Sequence, residues 1–256
     1  MGDSPLTVGL ERDGRLLRLT LARPKANVID AAMIAALDTA LAAHADDAAL
    51  CAVVLDHAGP HFSFGASVEE HLPDQCAAML AGLHALLKRM VDYPVPILAA
   101  VKGQCLGGGL EVAMACNLIF AAPDAALGQP EIKLAVFAPA ASCLLPRLVG
   151  RARAEDLLFS GRSISGREGH EAGLVFALAD DPADAAEAYA ADNLAGHSAS
   201  TLRFAVRAAR EPFAAAVKAD LDRVEELYLS GLMQTRDAVE GLNAFLDKRP
   251  AKWEDR

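Results

Sequence analysis

Aromatic residues are scarce in this 256-residue chain, 5% of the total with a single tryptophan at Trp253, so aliphatic side chains are expected to fill the core. Basic residues are also in the minority, 24 against 34 acidic ones, and the formal net charge is -10. The basic residues are scattered, and an acidic chain repels a polyanion at long range, which excludes nucleic acid as the expected partner. A small molecule with a few phosphates is not excluded, because two or three side chains and a helix N-terminus can hold it. The five cysteines (Cys51, Cys76, Cys105, Cys116 and Cys143) form no C-x-x-C pair and are odd in number. That excludes a disulfide framework and a zinc cluster, and leaves small buried residues in a reducing compartment. No stretch offers ~18 uninterrupted apolar residues, and residues 1–5 carry Asp3 without an apolar run, so a soluble cytoplasmic protein is expected. Neither a repeat period nor a low-complexity linker is visible, although residues 183–191 are rich in alanine.

With 53% hydrophobic and 23% charged residues, the chain has the make-up of a globular protein, either one large α/β domain or two small ones. Alternation through Leu16, Leu17, Arg18, Leu19, Thr20 and Leu21, after the turn pair Asp13-Gly14, predicts a hairpin over residues 8–21 that Pro24 ends. Asp30 is placed to cap a helix over residues 31–44, with Met33, Ile34, Leu37 and Leu41 at helical spacing. Buried strands are expected at 52–55, 97–101 and 118–121, with helices at 74–91 and from Gly107 to about Asn117. Residues 59–67 and 128–131 read as loops. This order of strand, loop and helix predicts a parallel sheet with covering helices. From Ala152 onward the pattern is mostly helical, with a short strand at 175–178, an amphipathic helix over 214–232 and a last helix over 235–248.

Three consecutive glycines, Gly107, Gly108 and Gly109, stand between a strand and a helix and cost backbone entropy. Tight packing of helix on sheet is one explanation. Close approach of a ligand is the other, because a helix start presents free N–H groups suited to an oxygen that becomes negative. The glycines match neither a P-loop nor a dinucleotide turn. Glu111 follows inside an apolar helix start, either on a solvated stripe or buried by design, and Glu131 follows in Gly128-Gln129-Pro130-Glu131. A lone loop glutamate is ordinarily solvated or a cap; the order GGG, helix with Glu, strand, GQPE shifts that balance.

Those motifs resemble the enoyl-CoA hydratase/isomerase family, also called the crotonase superfamily. Their companions stand in order: Arg23-Pro24-Lys25-Ala26, Phe62-Ser63-Phe64-Gly65-Ala66, Pro94-Val95-Pro96-Ile97, Ser160-Gly161-Arg162, Ala172-Gly173-Leu174-Val175 and Phe245-Leu246-Asp247-Lys248-Arg249-Pro250. The resemblance spans nearly the whole chain. It implies an α/β fold, a crotonase-like spiral of ββα units followed by a helical C-terminal region. It divides the chain into a core over residues 1–195 with the thioester site and a helical region over 196–256 for packing and trimerisation.

By the same resemblance, the amides of Ala66 and Gly108 form an oxyanion hole and Glu111 and Glu131 are the catalytic carboxylates. Members that retain only one, or neither, tend to be isomerases, hydrolases, decarboxylases or dehalogenases, so retention of both favours hydration. Adding water to a conjugated thioester builds enolate charge on the thioester oxygen, and paired carboxyls supply one ionised and one protonated group. Lys25, Ala26, Phe64, Ser67, Val68, Phe137 and Pro139 are implied to bind substrate, and Lys248 and Lys252 are further candidates for the coenzyme phosphates. His71, after the first loop, reads as a solvated or capping histidine or as a pocket residue. No prosthetic group or metal is implied; coenzyme A enters as part of the substrate, and the assembly is a homotrimer or a dimer of trimers.

Two departures bear on the acyl group. The first loop reads Gly65-Ala66-Ser67, where many relatives have aspartate third, and Ala135-Val136-Phe137-Ala138-Pro139-Ala140-Ala141-Ser142 replaces a proline- and glycine-rich helix start. The strings Phe62-Ser63-Phe64-Gly65-Ala66-Ser67-Val68-Glu69-Glu70-His71 and Val136-Phe137-Ala138-Pro139-Ala140-Ala141-Ser142-Cys143 resemble the branch of the family that adds water to cyclohexa-1,5-diene-1-carbonyl-CoA. The alternatives are a linear short-chain enoyl-CoA hydratase, an isomerase using one glutamate, and a non-catalytic crotonase-like or RNA-binding protein. The acidic balance and the intact glutamate pair count against the last.

Overall fold

The computed structural model describes residues 4–23 and 25–256; Pro24, expected to end the hairpin, and residues 1–3 lie outside them. Strands β1 (Leu6–Glu11) and β2 (Leu16–Leu21) form the expected hairpin, in register from Leu6 opposite Leu21 to Glu11 opposite Leu16. Helix α1 (Ala31–His44) begins where predicted, with Asp30 accepting from the Met33 amide at 2.9 Å and Met33, Ile34, Leu37 and Leu41 buried.

Strands β3 (Ala52–His57), β4 (Ile97–Val101), β6 (Leu118–Ala121) and β9 (Ala177–Leu178) extend the hairpin in parallel, giving the order β1-β2-β3-β4-β6-β9. Strand β4 is buried along its whole length, and β3 over all but its last residue, because both sheet faces are covered. On one face Leu17, Leu19, Val53, Leu55, Ala99 and Val101 join the main core. On the other, Leu16, Val54, Leu98, Ala100 and Phe120 pack under Ala186 and Ala190 of α7 (Pro182–Asn193).

A second sheet occupies segments where no strand is expected from the sequence: β5 (Gln104–Leu106), β7 (Ala126–Gly128) and β8 (Ser163–Ser165), the last inside the region that reads as mostly helical. Three-residue strands are too short to display alternation. Ser63 joins its edge through a parallel bridge to Cys105. The chain thus winds in turns, each with one strand in the large sheet, one extended piece in the small sheet, and a helix. The turns are β3, Ser63 and α2 (Cys76–Val91); β4, β5 and α3 (Gly108–Ala115); β6, β7 and α4 (Pro139–Val149). This is the expected spiral of ββα units.

The remaining helices are α5 (Arg151–Ser160), α6 (Gly166–Glu171), α8 (Ala199–Glu226) and α9 (Arg236–Leu246). Helix α8 starts well before the predicted Ala214, capped by Ser198, and passes through the exposed Pro212. Its first half is mostly exposed, with only Ala199 and Val206 buried, so little apolar periodicity marks it. Its second half places Ala214, Val217, Leu221 and Val224 in the main core, so the C-terminal helices pack on the chain's own interior. Arg210 on α8 is held at the ends of two helices, donating to Val91 O (3.2 Å), Ala115 O (3.0 Å) and Cys116 O (3.3 Å). The π-helical turn Leu227–Gly231 then ends α8 inside the segment predicted as regular helix. All five cysteines are free and buried. Among the described residues no helix is long and apolar enough to cross a membrane.

Candidate active site

Three successive turns of the spiral deliver the predicted site residues at equivalent places. Ser63, Cys105 and Leu127 lie side by side in the small sheet, and Ala66, Gly108 and Glu131 follow them by three, three and four residues. Residues far apart in sequence therefore meet beyond the C-terminal ends of these neighbouring strands.

The first two turns bring backbone against backbone. Gly65 adopts φ +108°, its amide donates to Ser63 Oγ at 3.1 Å, and its carbonyl accepts from Ile29 at 3.0 Å. A β-carbon on Gly108 would lie 3.1 Å from both the amide nitrogen and the Cβ of Ala66, so the two amides are neighbours only because position 108 is bare. Gly109 is explained by packing instead, since a β-carbon there would lie 2.5 Å from Ser63 Cβ. The packing reading of the triglycine thus holds for Gly109, while Gly108 admits the Ala66 backbone. Among the described residues neither the Ala66 nor the Gly108 amide donates to another protein group. Gly108 is the first residue of α3, where the helix leaves N–H groups unpaired.

Glu111 stands one turn into α3, 3% exposed, and its Oε1 accepts from the Ala141 amide at 2.8 Å. Ala141 lies in the first turn of α4, which Pro139 opens, so that helix start faces the carboxylate. Burial pushes the Glu111 carboxyl up to about 7, with the Ala141 and Ala140 amides pulling it back. Glu131 stands in the 3₁₀ turn Pro130–Leu134 and is raised to about 8, by burial first and by the charge of Glu111 second. Its Oε1 is pressed against Gly107, which has φ +49° and no room for a β-carbon. The buried Gln129 amide, turned with its nitrogen toward Glu131, donates to both carboxylate oxygens at 3.1 Å. Turned the other way it accepts from a protonated acid, so each charge state of Glu131 has a partner. Glu111 thus has an amide that favours its ionised form, and Glu131 has a neighbouring negative charge that favours its neutral form.

The other predicted residues fall around this centre in two groups. Lys25, Ala26 and Ser67 line a pocket of about 490 Å³ together with Arg23 and Gln75. Phe64 is beside Ala26, its amide donating to Ala26 O at 2.9 Å, and its ring meets His61 edge-on at 4.9 Å. Val68 and Phe137 pack on a separate apolar cluster around Cys76, Val136 and Tyr228, and Pro139 is buried at the start of α4. Lys252 lies elsewhere, in a surface pocket with Arg236 and Arg249. His71 is pinned through Nδ1 to Ser67 O at 2.7 Å, and burial lowers its pKa.

Three contributors were not singled out from the sequence: Gly107 as the seat of Glu131, the Ala141 amide and Gln129. A proline opening a helix was the available signal for Ala141.

This chain belongs to the enoyl-CoA hydratase/isomerase family, whose model matches residues 11–256. It is 66% identical over 253 residues to cyclohexa-1,5-dienecarbonyl-CoA hydratase from Thauera aromatica, covering 99% of this chain and 98% of that one. A probable enoyl-CoA hydratase of Bacillus subtilis is 34% identical over 253 residues, covering 94% and 96%. The crystal structure of an enoyl-CoA hydratase/isomerase from Pseudoalteromonas atlantica superimposes with a TM-score of 0.84 at 28% identity, covering 97% of this chain and 99% of that one.

Proposed function

We propose that this chain is a hydro-lyase that adds water to cyclohexa-1,5-diene-1-carbonyl-CoA, giving 6-hydroxycyclohex-1-ene-1-carbonyl-CoA in anaerobic aromatic degradation. The observation that carries the hydratase reading is the buried Glu111 and the half-buried Glu131, both with raised pKa, beside the unpaired Ala66 and Gly108 amides. The identity to the Thauera aromatica hydratase supports the cyclic substrate.

The thioester oxygen accepts from the Ala66 and Gly108 amides, which stabilise the charge that develops there by ~3 kcal/mol per donor. Ionised Glu111 takes a proton from water as the water oxygen bonds to the β-carbon. The displaced π electrons move onto the thioester oxygen as an enolate. When they return, the far terminus of the diene takes the proton held by Glu131, and the remaining double bond shifts into conjugation with the thioester. One proton enters at Glu111 and one leaves from Glu131, so the pair is reset by a single transfer between them. Glu111 is the base because Ala141 favours its anion; Glu131 is the acid because the charge of Glu111 keeps it neutral.

Lys25, Ala26, Phe64 and Ser67 bind the coenzyme end of the substrate, with Lys25 meeting its phosphates, since Arg23 in the same pocket is already paired with Asp30. Val68, Phe137 and Pro139 shape the acyl end. Coenzyme A comes with the substrate and the acid–base steps call on no prosthetic group. Assembly is a cytoplasmic homotrimer or dimer of trimers, supported by the exposed Phe204 on α8 in a groove of about 620 Å³ with Tyr93 and Arg207. Light scattering on the purified protein tests the assembly. Turnover of the cyclic dienoyl-CoA beside crotonyl-CoA tests the substrate: faster hydration of the linear thioester would replace the cyclic reading with that of a short-chain enoyl-CoA hydratase.

A further inference from the structure

Tyr228 is fully buried, and its hydroxyl has no hydrogen-bond partner among the described residues. Buried hydroxyls are almost always paired, and phenylalanine would fill the same space without that cost. The residue sits in the π-helical turn Leu227–Gly231, a backbone form that recurs at functional sites because it swings a side chain off the regular helix track.

Its surroundings say what the hydroxyl is for. The ring meets Phe137 edge-on at 5.2 Å and packs in a cluster with Cys76 and Val136. Val68 and Leu72, from the segment after Ala66, close the same cluster. Tyr228 therefore lies where the walls that follow Ala66 and Glu131 meet. Burial, Cys76 and the charges of both Glu131 and Glu111 push the phenol pKa up, so it stays a neutral hydroxyl. A ring or chain of carbon offers that hydroxyl nothing. The polar atom that enters between the carboxylates during hydration is the water oxygen.

We propose that the Tyr228 hydroxyl binds the oxygen that the reaction adds to the acyl group: the attacking water before addition and the new hydroxyl of the product afterwards. This rests on the hydratase reading above. Tyr228 gains and loses no proton; it orients the oxygen while Glu111 and Glu131 carry the transfers. A purely structural tyrosine in this place would have no preference between hydroxylated and unhydroxylated thioesters.

Tyr228→Phe tests this with two ligands measured by calorimetry, 6-hydroxycyclohex-1-ene-1-carbonyl-CoA and its counterpart without the hydroxyl, cyclohex-1-ene-1-carbonyl-CoA. The variant should bind the hydroxylated thioester about three- to tenfold more weakly, the range for one neutral hydrogen bond, and the other with unchanged affinity. Hydration should slow by ~10-fold in kcat with little change in KM, and Tm should stay level or rise, since an unpaired buried hydroxyl is removed. Equal affinities to wild type for both ligands, or equal weakening of both with a lower Tm, would overturn the proposal. If the wild type hydrates neither cyclic nor linear thioesters, the proposed function fails, and the two affinities still decide the role of Tyr228.

Discussion

Gly107 and Glu131 compete for one position in space: a β-carbon on Gly107 would lie 2.5 Å from Glu131 Oε1. The glycine's φ of +49° adds a second penalty for any side chain. Gly107→Ala should displace the carboxylate and cut kcat by ~100-fold, the usual consequence of misplacing a reacting group by about 1 Å. Steady-state kinetics with a Tm measurement checks this; an active variant would mean that Glu131 does not need its seat.

The proposed roles of the carboxylates predict a narrow rate optimum. Activity requires Glu111 ionised and Glu131 protonated, so kcat/KM should rise with pH as Glu111 loses its proton near 7 and fall as Glu131 loses its own near 8. Glu111→Gln and Glu131→Gln should each lower turnover by ~100-fold or more. A near-normal rate in either variant removes that residue from the chemistry.

The same raised values make the pair costly at high pH. Both carboxyls titrate near 4.5 when unfolded and at about 7 and 8 when folded, so between those limits the native state binds more protons than the unfolded one. Stability from this source is full below about 4.5 and lost as pH rises through the folded values. Glu131→Gln avoids the buried charge, and its Tm should exceed that of the wild type by a margin that widens from about pH 5 to about pH 9. A margin constant across that range would show that Glu131 is solvated.

Arg210 reaches three carbonyls at the ends of α2 and α3. Arg210→Ala should leave those acceptors short of donors and destabilise the fold by ~3 kcal/mol, read from urea unfolding. Lys should recover only part of this, since an ammonium cannot span three separated carbonyls as a planar fork does.

Much of this architecture was legible in the chain because it depends on side-chain identity. Asp30 as a cap, the apolar stripe of α1 and the buried runs of β3 and β4 follow from residue type and period. So do Glu111 and Glu131, whose flanking motifs are distinctive. What stayed hidden depends on backbone placement. The Ala141 amide could belong to any residue, the strands of the small sheet are three residues long, and the first half of α8 buries only Ala199 and Val206. Tyr228 resembles the apolar helix positions around it, and only the π-helical turn sets it apart.

The small sheet has a consequence of scale. Neighbouring strands lie about 4.8 Å apart, a distance set by hydrogen bonding and independent of sequence. The successive turns that carry Ala66, Gly108 and Glu131 are stacked at that interval. A conjugated thioester needs its carbonyl oxygen gripped and a carbon a few bonds away protonated, which is a separation of similar size. Under the proposed function, the backbone is thus the ruler against which the substrate is measured.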